Sequence, residues 1–329
     1  MSFQTAVYER ERRINEEQKR ELESLSTSKD IFFASMSHEI RTPINSIIGL
    51  NELILRENPS EEVQDYAKNI QNASKMLLSL VNDILDLSQL EIQKMVLVEK
   101  EYQVGQMLHE VVDMMQVRMK EKQLKFMVQV DPQLPSVLYG DDRRIKQILL
   151  NILSNAVKYT EEGAVTLQCG FEPVDEDHVQ LRISVADTGA GIRKEELEYL
   201  FEAFRRIDTE KNQKIEGTGL GLSITKHLVD LMQGEITVDS IYTQGSEFTV
   251  VIPQKIIDKS TIGEFDTVAY DENTAMQYNR LFEAPEARVL VVDDDELNLM
   301  ITTKLLQDTK MSIDTASSPE ECLKQTSTR

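Results

Sequence analysis

Apolar residues return every seven positions from Val63. Val63, Ile70, Leu77 and Ile84 form one series, and Ala73, Leu80 and Leu87 stand three places after its later members. A strict seven-residue repeat on a helix of more than ~25 residues implies a left-handed supercoil, because 3.6 residues per turn carries a straight helix off the stripe. A second helical stretch precedes it from about Lys29, with Ile31, Phe32, Met36, Ile40, Ile44, Ile47 and Ile48 as its apolar positions. Pro43 lies inside that stretch and removes a backbone donor, so a bend is expected there. Asn58-Pro59-Ser60 ends it, with Ser60 and Glu62 suited to open the next helix. A hairpin of two striped helices cannot bury both stripes alone. No further long heptad helix follows, so a four-helix bundle made by two copies of the chain is the economical solution.

The rest of the chain changes character. Residues 1–28 have helix-forming composition with mixed charge but fit a heptad poorly, and read as a helical lead-in. From about Val96 the patterns alternate: a helix over Val104–Lys122, a strand over Leu124–Val130, and an amphipathic helix over Asp141–Tyr159. Strands are expected at Ala164–Gly170, Val179–Ala186, Glu235–Val238 and Glu247–Ile252, with a helix at Leu220–Met232. A largely antiparallel sheet with its helices on one face makes an α+β sandwich. Residues 257–286 are polar and aperiodic and read as a linker. Arg288–Asp294 is a short strand ending in acids, followed by a helix over Glu296–Gln307 and a strand over Ser312–Ala316. The expected division is therefore 1–28 lead-in, 29–95 helical hairpin, 96–256 sandwich, 257–286 linker and 287–329 a final α/β piece.

Charge narrows the function classes. Lys and Arg number 36 against 57 Asp and Glu, a net −21, which argues against binding nucleic acid or an anionic membrane over the whole surface. No apolar run approaches the ~18 residues of a membrane span, and the charged start, Met1–Arg13, has no signal-peptide core. The chain is expected in the cytoplasm. Cys169 and Cys322 are too far apart in sequence to suggest a disulfide framework or a metal cluster. Glycine is scarce at 13 residues, yet five of them are Gly189, Gly191, Gly217, Gly219 and Gly221.

Four constellations carry chemistry. In Ser37-His38-Glu39-Ile40-Arg41-Thr42-Pro43, a helical His stands just before the Pro. Alone, such a His is most often a surface or capping residue. Beside it, however, Glu39 can accept a ring proton and leave the other nitrogen as a nucleophilic lone pair, and Thr42 lies one turn on along the same face. Asn151 and Asn155 sit four apart on one helix face, opposite the apolar stripe, and are followed by Lys158, Tyr159 and Thr160. An amide oxygen suits Mg²⁺ and Lys158 suits phosphate oxygen, although surface amides on a helix are the plainer reading of either Asn alone. Asp187-Thr-Gly189-Ala-Gly191-Ile192 follows an apolar strand, where a carboxylate can accept from an exocyclic amine and glycines let a ring approach the backbone. Gly217-Thr218-Gly219-Leu220-Gly221-Leu222 opens a helix whose N–H groups can seat phosphate, though it is neither a Rossmann fingerprint nor a P-loop. Between the last two, Phe201-Glu-Ala-Phe204-Arg205-Arg206 and the polar stretch to Glu216 read as a lid.

In this order the motifs resemble those of sensor histidine kinases of two-component systems, over roughly residues 25–256. The phosphoacceptor box is matched by Ser37–Pro43, the Asn box by Asn151–Thr160, the two Gly boxes by Asp187–Ile192 and Gly217–Leu222, and the Phe box by Phe201–Phe204. Val289-Leu-Val-Val-Asp293-Asp294 is similar to the first strand and acidic pair of a response-regulator receiver, so the whole resembles a hybrid kinase. The resemblance implies an all-α helical-hairpin dimerisation domain, a Bergerat-type ATP-binding sandwich and an incomplete α/β receiver. It implies His38 as phosphoacceptor, Glu39 as its base, and Thr42 in the reverse, phosphatase-type chemistry. ATP and Mg²⁺ are the implied cofactors, with Asn155 on the metal and Asp187 on adenine. Asn151, Lys158, Tyr159, Gly189, Gly191, Arg206 and the Gly217, Thr218, Gly219, Leu220, Gly221 turn complete the nucleotide set. The implied partners are a second copy of the chain, a response-regulator receiver and an upstream sensor.

Two residue-level points qualify the resemblance. Chaperone- and gyrase-like relatives carry Glu where Asn151 stands, and an amide lacks the basicity to activate water, which favours phosphoryl transfer over hydrolysis. Asp293 and Asp294 supply a receiver's Mg²⁺-binding pair, but no strand bearing its phosphoacceptor Asp follows before Arg329. Residues 287–329 are accordingly expected to be poorly packed and phosphorelay within the chain impossible. The rival readings are a dimeric scaffold that binds nucleotide without transfer, and a Bergerat-fold ATPase.

Overall fold

The computed structural model describes residues 39–57, 59–91, 95–205, 219–265 and 282–327. The lead-in and His38 lie outside them. The chain divides into two compact units, Met1–Ile92 with Glu272–Arg329, and Gln93–Asp271.

In the first unit, helix α1 is continuous over 39–56, straight through Pro43, and α2 spans Glu61–Glu91. The hairpin is fastened by Arg41 donating to Asn82 Oδ1 (3.1 Å) and Asn51 Nδ2 donating to the Ala67 carbonyl (2.7 Å). On α2 the buried residues are Ala67, Ser74, Val81 and Ser88, themselves seven apart, together with Leu87. The longer series, Val63, Ile70 and Leu77, remains 42–48% exposed. The heptad stripe is thus present and faces away from α1, an apolar face without a partner among the described residues.

The same unit holds β8 (Arg288–Val292), α7 (Glu296–Leu306) and β9 (Ser312–Ala316), followed by α8 (Pro319–Ser327). The expectation of poor packing holds in large part: β8 and β9 do pair in parallel along their full length and Leu299, Ile301 and Ala316 are buried, but Val292, Leu297, Met300 and Leu323 stay exposed and α8 buries no residue. Part of that burial comes from α1: a Cβ on Gly49 would stand 2.7 Å from Ile301 Cγ2, and Ser46 Oγ donates to Asn298 Oδ1 (3.1 Å). Arg56 donates to the Leu305 carbonyl at the C-terminal end of α7, where a cation opposes the helix dipole. Two strands still fall short of a doubly wound sheet, but a helix surface supplies part of the missing cover.

The second unit is a seven-stranded sheet with three principal helices. In chain order these are β1 (Lys100–Gln103), α3 (Val104–Glu121), β2 (Lys125–Val130), β3 (Pro135–Gly140), α4 (Asp142–Tyr159), β4 (Ala164–Pro173), β5 (His178–Asp187), α5 (Lys194–Leu197), α6 (Gly221–Leu231), β6 (Glu235–Ile241) and β7 (Gly245–Thr261). Strand order is β1-β3-β7-β5-β4-β2, with β6 on the other side of β7's first half, and only β2 and β4 run parallel. Alternate residues of β5 (Val179, Leu181, Ile183, Val185) and of β7 (Phe248, Val250, Ile252) are buried, the period-2 signature of a sheet covered on one face. The cover is α3, α4 and α6. On α4, Ile145, Ile148, Leu149, Ile152 and Leu153 are each no more than 1% exposed. Asp141 caps that helix, its Oδ1 accepting from Arg144 N (3.1 Å) and its Oδ2 from Val98 N (2.8 Å).

The expected linker at 257–286 needs correction at its start. The strand expected over Glu247–Ile252 continues through Pro253, which lacks an N–H, and pairs with β3 as far as Thr261. Beyond the strand, Ile262 N bonds the Leu134 carbonyl (2.9 Å) and Phe265 stacks on His109 with ring centroids 4.2 Å apart. The sandwich therefore includes residues to 265. Strands β1 and β3 were also absent from the sequence reading, one being short and charged, the other opening on Pro135.

Candidate functional site

Helix α4 is the spine of the candidate site, and three sequence motifs converge on it. Its C-terminal carbonyls are gathered by Lys122, whose Nζ donates to Val157 O (2.7 Å), Lys158 O (3.2 Å) and Thr160 O (3.3 Å). That cap sets the helix end just where Lys158 and Tyr159 leave it, with the Lys158 ammonium 5.0 Å from the Tyr159 ring centre. Asn155, one turn earlier, is half-buried and makes no side-chain hydrogen bond to another described residue. Its amide oxygen is left available, which suits a hard cation.

The loop after β5 docks onto the end of α4, with Ala190 N donating to Tyr159 O (3.2 Å). A Cβ on Gly189 would stand 2.8 Å from both Asp187 Oδ1 and Thr160 Oγ1, so only glycine fits between the carboxylate and the helix end. Gly191 has φ +63°, and its neighbours tie the loop to the β6–β7 turn through Thr243 N to Ala190 O (2.7 Å) and Ile192 N to Ser240 Oγ (2.8 Å). Asp187 is thereby held at the edge of the sheet. Burial pushes its carboxyl above the ordinary carboxylate range, while N–H groups of Gly189 (2.8 Å to Oδ1) and Ser246 act the other way. A half-desolvated carboxylate at the end of a strand suits an amine donor on a flat ring.

The second glycine turn meets α4 through Asn151. Its Nδ2 donates to Gly221 O and to Thr225 Oγ1, the latter at 2.8 Å. This changes the reading of Asn151: its amide nitrogen is bonded to α6, not turned to the nucleotide. Leu220 stands at the N-cap of α6 and makes no side-chain cap, so the first-turn N–H groups lack that partner. Phe204, itself at φ +63°, donates its N–H to Gly219 O (3.1 Å), which joins the end of the Phe-containing turn to the glycine turn. Arg206, Gly217 and Thr218 lie outside the described residues, as does His38.

Glu39 is exposed and Thr42 half-buried on α1. Asp293 Oδ1 accepts from Asp295 N (2.9 Å) and from Asn298 Nδ2 (3.3 Å), and no group of three or more His, Cys, Asp or Glu among the described residues is arranged to hold a metal, Asp293 and Asp294 included. Cys169 is buried in the sandwich core with its thiol pushed up to about 12 by burial, which leaves it protonated and unreactive. Lys122, Thr225 and Gly245 all shape the site and were not singled out in the sequence. Each acts through a neighbour 30 or more positions away or through backbone geometry, which leaves no local signal.

Two family models match the chain: "His Kinase A (phospho-acceptor) domain" over residues 28–93 and "Histidine kinase-, DNA gyrase B-, and HSP90-like ATPase" over 140–256. The chain belongs to the sensor histidine kinases. Among curated histidine kinases it is 37% identical over 242 residues to hybrid signal transduction histidine kinase B of Dictyostelium discoideum, covering 74% of this chain and 12% of that protein. It is 40% identical over 225 residues to the sensor protein GacS of Pseudomonas syringae pv. syringae, covering 68% and 25%. It is 34% identical over 303 residues to the sensory/regulatory protein RpfC of Xanthomonas campestris pv. campestris, covering 88% and 42%. The histidine kinase thus spans less than half the length of these relatives. Among solved structures it resembles full-length ShkA, crystallised with AMPPNP, at TM-score 0.56 and 29% identity, covering 89% of this chain and 56% of that one. The sandwich of this histidine kinase is of the ATP-binding class. No helix among the described residues is long and apolar enough to cross a membrane.

Proposed function

We propose that the chain transfers the γ-phosphoryl group of ATP to His38 and then to an Asp of a response-regulator receiver. The observation that carries this reading is the convergence of the Asn155–Tyr159 helix end, the Asp187 loop and the Gly219–Gly221 turn around one side of α4. Asp187 accepts from the adenine amine. Lys158, Tyr159, Arg206 and the Gly217–Gly221 backbone surround the phosphates. Asn155 would hold Mg²⁺ through its unbonded amide oxygen, and the ion would supply charge neutralisation to the phosphates. A neutral His38 nitrogen forms the N–P bond as the bond from the γ-phosphorus to the ADP oxygen breaks, and Glu39 accepts the other ring proton. Thr42 is suited to hold water for the reverse, hydrolytic chemistry. Asp293 and Asp294 have no part in this transfer.

The partners proposed are a second copy, seated on the exposed Val63, Ile70 and Leu77 stripe, an upstream sensor and a receiver domain, with the reaction in the cytoplasm. Incubation with γ-labelled ATP and Mg²⁺ is expected to give protein-bound phosphate that is labile in acid and stable in alkali. Label that is acid-stable, or phosphate release without labelled protein, rejects the reading, the latter in favour of an ATPase.

The Asp187 carboxyl gives the binding step a pH signature. Its raised pKa means that it takes up a proton above the ordinary 3.8 as pH falls, so ATP affinity declines from that higher pH downward. For stability the sign is opposite: the ionised group destabilises the fold above its folded-state pKa, and the penalty is relieved as pH falls through it. Fluorescent-nucleotide titrations across pH are expected to show the decline in the parent chain, with a flat and uniformly weak profile in Asp187→Asn.

A further inference from the structure

We propose that Thr225 is a positioning residue that, through Asn151, fixes the glycine turn at the phosphate end of the nucleotide site; the inference rests on the nucleotide reading above. An Asn amide nitrogen has two hydrogens, and both are directed at α6. One goes to the Gly221 carbonyl and the other to the Thr225 hydroxyl at 2.8 Å. A carbonyl cannot donate, so the Gly221 bond alone decides which way the amide faces. Thr225 takes the second hydrogen and thereby fixes the plane of the carboxamide.

The latch is buried on the Thr225 side, where that residue is 1% exposed. It is also tight, since a Cβ on Gly221 would collide with Asn151 Oδ1. Glycine suits position 221, because Oδ1, Nδ2 and Cγ of Asn151 all come within 2.9 Å of where a Cβ would stand. Asn151 and Asn155 are one turn apart on α4. Pinning Gly221 to Asn151 therefore sets the first turn of α6 at a fixed distance from Asn155 and Lys158, the two α4 groups assigned to the charged end of ATP. Asp187 stands at the C-terminal end of α4 and is held by the N–H groups of Gly189 and Ser246 rather than by α6, so it does not share the latch. Loss of the latch should consequently weaken phosphate recognition and leave adenine recognition intact.

The experiment compares the full chain with Thr225→Val, which keeps the shape and removes the hydroxyl, and Thr225→Ser, which restores it. ATP and adenosine affinities are measured for each, together with hydrogen exchange of the α6 amides in the absence of nucleotide. Thr225→Val is expected to weaken ATP about fivefold, to leave adenosine unchanged and to speed exchange in the first two turns of α6, and Thr225→Ser to reverse all three. Asn151→Asp, which sets oxygen against the Gly221 carbonyl, should give the same split between ATP and adenosine, with no added loss on combination with Thr225→Val. The proposal is overturned by unchanged ATP affinity in Thr225→Val, by equal loss of ATP and adenosine, or by unaltered α6 exchange. A parent chain that binds no ATP overturns the nucleotide reading, and exchange in the same samples still decides whether the latch exists.

Discussion

Replacing His38 by Gln is expected to reduce acid-labile label from γ-labelled ATP to background while leaving ATP affinity at the parent value. The chain has four histidines, and the three that are described each have a defined neighbour in the sandwich unit. His109 is stacked on Phe265, His178 Nδ1 lies 2.9 Å from Asp175 Oδ1, and His227 Nδ1 bonds the Ser223 carbonyl at 2.8 Å. Each of those settings is accounted for by local structure. His38 differs by its surroundings in sequence, with an acid beside it and a Pro one turn beyond. Glutamine keeps the polarity and approximate size of the side chain but offers an amide nitrogen without a nucleophilic lone pair, so the acceptor is lost while the helix is not. ATP affinity should hold, because Asp187, Asn155 and the glycine turn belong to the other unit. Acid lability identifies an N–P bond, since Ser and Thr esters survive acid. Label that persists in His38→Gln would move the acceptor elsewhere, and label that vanishes together with ATP binding would mean the substitution damaged the fold.

The sequence was informative where one element could be judged alone. The α4 stripe and the alternation in β5 speak locally, and the structure has both in place. The hairpin was half legible. Two seven-residue series run along α2, and the sequence makes the bulky one conspicuous. The series that touches α1 is the small one, Ala67, Ser74 and Val81, because close helix approach requires little side-chain volume. Chemistry that depends on distant partners was not legible. Nothing near Asn151 announces that α6, seventy positions on, will accept both of its hydrogens. Nothing near Pro135 announces a strand, since β3 is held between two partners distant in sequence, β1 on one side and the extension of β7 on the other.

The same dependence on a distant backbone makes Gly245→Ala the substitution expected to damage fold and site together. Gly245 closes the β6–β7 turn opposite Ile241 and has φ +120°, a conformation that L side chains rarely adopt. A Cβ there would overlap the Asp187 carbonyl and stand 3.0 Å from Thr188 Cα, and both are main-chain atoms that no rotamer change can move aside. Relief must come from shifting the turn or the end of β5. The next register pair along, Asp187 with Ser246, carries the N–H that helps hold the Asp187 carboxylate, so either shift disturbs the adenine acceptor. Backbone strain of this kind costs about 1–3 kcal/mol before the collision is counted, so a total loss of about 3 kcal/mol or more is expected in chemical denaturation. Adenosine and ATP affinity should fall in parallel, in contrast to the phosphate-selective loss expected of Thr225→Val. Gly245→Ala with parent-like stability and adenosine binding would mean that the turn yields without moving Asp187, and would detach the second half of the sheet from the nucleotide site.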